Sequence, residues 1–336
     1  MGERFEAIID IRGLSLEFPT YSGPVKALSD ISLEVFNGEI VGLVGESGCG
    51  KSVTAMALMR LLPEGRYRVT GGSIRLLGRD PLTMPERELQ ELRGGLVSMI
   101  FQEPMNALNP TIRIGRQLIQ VIRRHRDLDK RKAGDIAERL LNDMQIPEAR
   151  RVMDNFPFEL SGGMRQRVLI AMAFSCEPRL LIADEPTTAL DVTVQAQVLT
   201  LVKRKALETG TAVLFISHNM AVVSQLCDRM YVMYAGKIVE TGRTSVVLRS
   251  PRHPYSDALL RSLPERGARK RALATIPGTV PTLLKPPEGC VFEERCPEAH
   301  ARCGRPPPFF QADGDDGHLS ACWLCAPEDT AEEAEA

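Results

Sequence analysis

The octet Gly45-Glu46-Ser47-Gly48-Cys49-Gly50-Lys51-Ser52 fits G-x-x-x-x-G-K-[ST], a spacing suited to cradling a polyphosphate. Glycines let the backbone curl until successive N–H groups point inward at phosphate oxygens, at the positive end of the following helix. Lys51 would then reach the β- and γ-phosphates, and the Ser52 hydroxyl would hold Mg²⁺. Further along, Leu180-Leu181-Ile182-Ala183-Asp184-Glu185 is an apolar strand ending in two acids. Asp184 suits a Mg²⁺ held through its water shell, and Glu185 suits polarisation of a water for in-line attack on a γ-phosphate. Alone, such acids would read as a solvated strand end; beside a phosphate cradle they read as catalytic, with ATP and Mg²⁺ as the expected ligands.

These residues need elements to hold them. Residues 8–18 and 31–36 alternate apolar with polar, the strand period. The stretch 39–44 is almost wholly apolar, as a buried parallel strand is, and feeds directly into the glycine-rich turn. Val53 to Leu62 predicts a helix closed by Pro63. Residues 113–153 carry helical spacing and many basic side chains, a small helical insert. Strand patterns return at 179–183, 212–216 and 230–234, alternating with helices, which implies a mostly parallel α/β sheet.

The chain has 336 residues, 43% hydrophobic and 25% charged, the ordinary globular range. Its 42 basic and 43 acidic side chains nearly cancel, which disfavours a nucleic-acid partner held by phosphate neutralisation. The longest apolar stretch, Val168 to Phe174, is far below the roughly 18–20 residues of a membrane span. Met1 to Glu6 lacks the apolar core of a signal peptide, and Glu6 stands where myristoylation needs Ser or Thr. No internal repeat is visible, so one phosphate-binding unit is expected.

From about residue 250 prolines accumulate and periodicity fades, predicting a loop-rich appendage that buries little alone and would gain from a metal staple. Five of the eight cysteines, Cys290, Cys296, Cys303, Cys322 and Cys325, crowd into it. In a reducing compartment such a cluster reads as metal ligands before disulfides. Four thiolates suit Zn²⁺ or an iron–sulfur cluster, and the spacing does not choose between them. The acidic stretch 327–336 has no large apolar anchor and reads as disordered.

Leu160-Ser161-Gly162-Gly163-Met164-Arg165-Gln166-Arg167 reads first as a capped helix start that could bind an anion. It also resembles the signature sequence of the ABC ATPase family and lies in that family's order, between the phosphate cradle and the acid-tipped strand. Gln102 resembles the Q-loop glutamine, Ala189-Leu190-Asp191 the D-loop, and His218 the switch histidine. The resemblance implies a P-loop NTPase (RecA-like) α/β core with an α-helical ABC subdomain and a Pro/Cys-rich C-terminal extension. The implied boundaries are 1–96 for the first part of the core with its β subdomain and 97–168 for the helical signature subdomain. The second part of the core follows at 169–249, the extension at 250–326 and the acidic tail at 327–336.

It further implies head-to-tail cassettes with ATP clamped between them, so that Ser161, Gly162 and Gly163 serve the partner's nucleotide. Gly45, Ser47, Gly48, Cys49, Gly50, Lys51 and Ser52 would cradle the phosphates. Ser52, Gln102 and Asp184 would hold Mg²⁺, Glu185 would activate water and His218 would contact the γ-phosphate. An aromatic ring stacks on adenine in this family; Tyr21 and Phe18 are both candidates, with Tyr21 preferred.

His253-Pro254-Tyr255, the Pro-rich segment and the cysteines resemble the extension of dipeptide and oligopeptide importer ATPases. That likeness assigns Cys290, Cys296, Cys303 and Cys322 to a [4Fe–4S] cluster, with zinc or no metal as alternatives and Cys325 as a departure. The implied partners are two transmembrane permease subunits, a second ABC ATPase and an extracytoplasmic substrate-binding protein. The implied place is the cytoplasmic face of the inner membrane, as a peripheral subunit. Nickel or another small solute is the alternative cargo. A soluble, non-transport ABC ATPase is the alternative class.

Overall fold

A computed structural model describes residues 7–102, 107–187, 191–262, 276–311 and 317–327. Glu103, Pro104, Ala189, Leu190 and the acidic stretch 328–336 lie outside the described residues. The chain divides into two units.

The first unit comprises residues 1–9, 35–40 and 76–216. Its sheet portion joins β5 (Val97–Ile100), β6 (Leu180–Asp184) and β7 (Ala212–Ser217) in parallel, with Ile182 opposite Leu214 and Met99 opposite Ile182. Every residue of β6 and β7 is buried, which is why each reads as an unbroken apolar run. The helical insert follows its 3.6-residue pattern: α3 (Ile114–His125), α4 (Lys130–Asp143) and α5 (Ala149–Val152) precede α6 (Gly162–Phe174). Along α4 the buried positions are Ala133, Ala137, Leu140 and Leu141, one stripe of the helix. Asp129 caps α4 by accepting from the Lys132 N–H at 2.8 Å. α2 (Glu86–Leu92) buries Leu89 and Leu92, and α7 (Val192–Thr209) ends on Gly210 in the left-handed region.

The second unit comprises residues 10–34, 41–75 and 217–336. β1 (Ala7–Thr20) lies between β2 (Gly23–Phe36) and β4 (Arg68–Leu76) in a three-stranded sheet. Its other sheet strands run in the order β3 (Ile40–Val44), β8 (Arg229–Tyr234), β9 (Lys237–Arg243), β11 (Leu319–Ser320), β10 (Phe310–Gln311). β3 and β8 are parallel; the later pairings are antiparallel, with a bulge in β8 between Val232 and Met233. The helices are α1 (Lys51–Leu58), α8 (Met220–Leu226), α9 (Thr244–Arg249) and α10 (Pro254–Arg261).

α1 stops short of the run to Leu62 that its composition predicts. Arg60 enters the left-handed region at φ +46°, its N–H bonds the Ala57 carbonyl, and the Leu61 N–H bonds the Met56 carbonyl at 2.8 Å. This is a Schellman closure, made here without glycine.

The Pro-rich segment is better anchored than its lack of periodicity suggests. Tyr255 of α10 and Phe292 are fully buried and pack with Tyr234 of β8, with ring centroids 4.5–5.3 Å apart. Burying a ring of that size contributes about 1.5–3 kcal/mol, so a small aromatic core anchors the segment to β8.

Candidate active site

In the second unit the buried strand β3 ends at Val44 and the octet begins. A Cβ on Gly45 would lie 2.0 Å from the Met233 carbonyl oxygen, so only glycine passes the bulged end of β8. Gly50 is the N-cap of α1 and offers no side chain to the first-turn N–H groups, leaving them for an anion. Lys51 is buried, its Nζ donating to the Gly45 carbonyl at 2.8 Å and the Glu46 carbonyl at 2.9 Å. Cys49 is fully buried, and burial pushes its thiol up despite the nearby Lys51 charge. Ser47 and Gly48 are exposed, and Ser52, in the first turn of α1, is half-buried.

Tyr21, at the β1–β2 turn, has a wholly exposed ring, while Phe18 is half-buried in β1. Only Tyr21 therefore presents an open face for stacking. His218 follows β7 and is exposed.

The first unit holds the acids and the signature helix. Asp184 closes β6 with 2% exposure, and Glu185 is buried just beyond it. Glu185 sits at φ +45°, and its N–H bonds the Ile216 carbonyl at 3.0 Å. A non-glycine residue in the left-handed region costs about 1–3 kcal/mol and persists where its surroundings impose it, often at functional sites. Gln102 is exposed beyond the end of β5.

Ser161 caps α6, its Oγ accepting from the Met164 N–H at 3.3 Å. Gly162 faces open space, whereas a Cβ on Gly163 would meet Val194 Cγ1 at 2.9 Å. The two signature glycines thus have different reasons: access at Gly162 and close packing against α7 at Gly163. Asp191 caps α7 through the Val194 N–H at 2.9 Å.

The tail thiols converge within the second unit. The Cys290 N–H bonds the Cys303 carbonyl at 2.8 Å. Burial first, then the neighbouring Cys303 and Cys296, push the Cys290 thiol up; burial and Cys303 do the same to Cys296. Cys322 is raised by its hydrogen bond with Cys325 and by burial, and it also feels Cys290. Yet among the described residues no group of three or more His, Cys, Asp or Glu side chains could hold a metal ion. The four-cysteine ligand set expected from the family likeness is thus not in place as a set, in part because Cys322 is engaged with Cys325. The donor chemistry suits a thiolate-bound metal, and the side-chain placement does not.

Sequence reasoning missed Glu46, one of the unspecified octet positions, and Arg295, which carried no signal at all. Both are held in one hydrogen-bonded group.

The ABC transporter family matches residues 28–188, and the oligopeptide/dipeptide transporter C-terminal region matches residues 239–303. The chain is 58% identical over 318 residues to a probable D,D-dipeptide transport ATP-binding protein of Escherichia coli, covering 95% of this chain and 97% of the relative. The chain belongs to the ABC transporter ATPases. It is also similar to the oligopeptide transport ATP-binding protein of Escherichia coli, at 46% identity over 96% of this chain and 94% of that one. A dimeric ATP-binding cassette bound to ADP and Pi has the same fold, with a TM-score of 0.63 at 23% identity over 70% of this chain and 98% of that one. A cassette from Clostridium perfringens matches with a TM-score of 0.61 at 23% identity over 74% and 97%. This ABC ATPase therefore has the P-loop NTPase fold, and it is an ATP-hydrolysing protein of the transport class. Among the described residues, no helix is long and apolar enough to cross a membrane.

Proposed function

We propose that this ABC ATPase powers the import of dipeptides or oligopeptides through separate permease subunits. The observation that carries the reading is the match of the oligopeptide/dipeptide transporter C-terminal region to residues 239–303, the stretch that includes most of β9, His253, Tyr255 and three of the clustered cysteines. In this reading, the octet holds the ATP phosphates, with Lys51 on the β- and γ-oxygens. Tyr21 stacks on adenine, Glu185 orients the attacking water, and His218 and Gln102 sense the γ-phosphate. Ser161, Gly162 and Gly163 close on the nucleotide of a second ATPase subunit, which the open space beside Gly162 allows. Ser52, Gln102 and Asp184 would hold Mg²⁺, which would supply charge neutralisation on the phosphates. The proposed assembly contains two permeases, a second ATPase and an extracytoplasmic substrate-binding protein, with this chain peripheral at the cytoplasmic face. The domain boundaries given above are part of the same reading.

Reconstitution with its permeases in vesicles tests it: peptide uptake should depend on ATP and vanish in Glu185→Gln. Uptake of nickel or another solute in place of peptide would overturn the cargo while leaving the motor.

The tail reading adds a [4Fe–4S] cluster on Cys290, Cys296, Cys303 and Cys322, supported by the thiol donor chemistry and not by the side-chain placement. Anaerobic purification with iron, sulfide and zinc quantified per chain tests it: about four irons and four sulfides support the cluster, and zinc alone or no metal removes it.

A further inference from the structure

Glu46 is held from three directions. Its N–H donates to the Tyr255 hydroxyl at 2.8 Å, its carbonyl accepts from Lys51 Nζ at 2.9 Å, and its carboxylate meets Arg295 in a two-pronged ion pair at 2.7 and 3.1 Å. A guanidinium has five N–H donors in a fixed fork. Every one on Arg295 is used: two bond Glu46, and the others bond the Tyr234 hydroxyl at 3.1 Å, the Pro277 carbonyl at 2.8 Å and the Ile276 carbonyl at 3.3 Å. The Arg295 side chain is 5% exposed, so this is a built site rather than a surface pair. The short 3₁₀ turn Glu293–Arg295 that aims it lies between Cys290 and Cys296, with the Glu293 N–H on the Cys290 carbonyl and the Cys296 N–H on the Glu293 carbonyl.

The chemistry of the octet makes this pairing consequential. A carboxylate in a phosphate-binding loop adds negative charge where a polyanion must enter, and at short range in a partly dry site that repulsion weakens binding. We propose that Arg295, supplied by the C-terminal segment, is a positioning residue of the nucleotide site. It neutralises Glu46 and ties it back, so that the loop accepts a triphosphate. The inference rests on the octet being the ATP cradle. It makes the tail part of the nucleotide site, beyond its role as a mark of transporter type.

The test is equilibrium binding of a fluorescent ATP analogue to the full-length chain, with ATPase KM and kcat measured alongside. Arg295→Met should raise the nucleotide Kd and KM about tenfold, with kcat less affected and the loss larger at low salt. Adding Glu46→Gln to Arg295→Met removes the unpaired charge and should restore the Kd to within about threefold of the parent. A purely structural contact predicts no such rescue. Should Arg295→Met fail to fold, Arg295→Lys replaces it: the charge stays, the fork is lost, and a smaller loss with the same rescue is expected. A single variant within about twofold of the parent, or a double variant as weak as the single, overturns the proposal. A parent chain that binds no nucleotide overturns the cradle assignment itself, and the Lys51→Ala control separates the two failures.

Discussion

Lowering the pH from about 7.5 to about 5 should destabilise the C-terminal part of this ATPase by about 2 kcal/mol through His253 alone. His253 is 1% exposed and caps α10, its Nδ1 accepting from the Tyr255 N–H at 3.1 Å. Burial draws its pKa down from 6.5 to about 4, with the Glu240 carboxylate pulling weakly the other way. Glu240 is fully buried and accepts from the backbone N–H groups of Arg252 and His253 and lies 2.7 Å from His318 Nε2. Between pH 6.5 and pH 4 the unfolded chain binds a proton at His253 that the folded chain refuses. Stability is therefore full above pH 6.5 and falls as the pH drops toward 4. The chain's single tryptophan, Trp323, lies in the same segment, its indole N–H on the Arg305 carbonyl at 3.0 Å, and reports local unfolding by fluorescence. Denaturant titrations at the two pH values give the difference directly. His253→Asn keeps an oxygen to cap the Tyr255 N–H but cannot titrate, so it should lose most of the pH step. Equal pH dependence in parent and variant would refute the assignment to His253.

Other substitutions probe the site. Ser161→Ala removes the cap of α6 and should lower stability by about 1 kcal/mol, read as a fall in thermal midpoint. Gly45→Ala places a Cβ 2.0 Å from the Met233 carbonyl, so the loop must shift; nucleotide titration should show binding lost even where circular dichroism shows the fold kept. Glu185→Gln should retain ATP binding and cut hydrolysis by about 10²–10⁴-fold in a phosphate-release assay.

Much of this fold is legible because its central strands are buried on both faces. The runs at 39–44, 179–183 and 212–216 reappear as β3, β6 and β7, since a strand covered on both sides must be apolar throughout. The helical insert is legible for the opposite reason, its half-covered helices showing one stripe each. The early stop of α1 is hidden because Arg60 adopts a conformation that composition assigns to glycine. β10 and β11 are two residues each, too short to show a period. At the site, spacing identifies the octet, the acids and the signature, which are local in sequence. Arg295 and Glu46 are 249 residues apart, and nothing local in either marks the other. Cysteine spacing signals that thiols gather but not how their side chains are directed, which is where the cluster reading and the structure part.

The pairing of β11 with β9 bears on how the sheet ends. Without it, β9 would present a row of open amides and carbonyls, a template on which strands of other molecules could grow. β11 occupies that row, with Ser320 opposite Glu240 and the Ala321 N–H on the Val239 carbonyl at 2.8 Å. The sheet then finishes on β10, whose two residues offer little length for further growth. Removing the chain beyond residue 305 would uncover β9 and strip His318 from the buried Glu240, turning a closed border into an adhesive one.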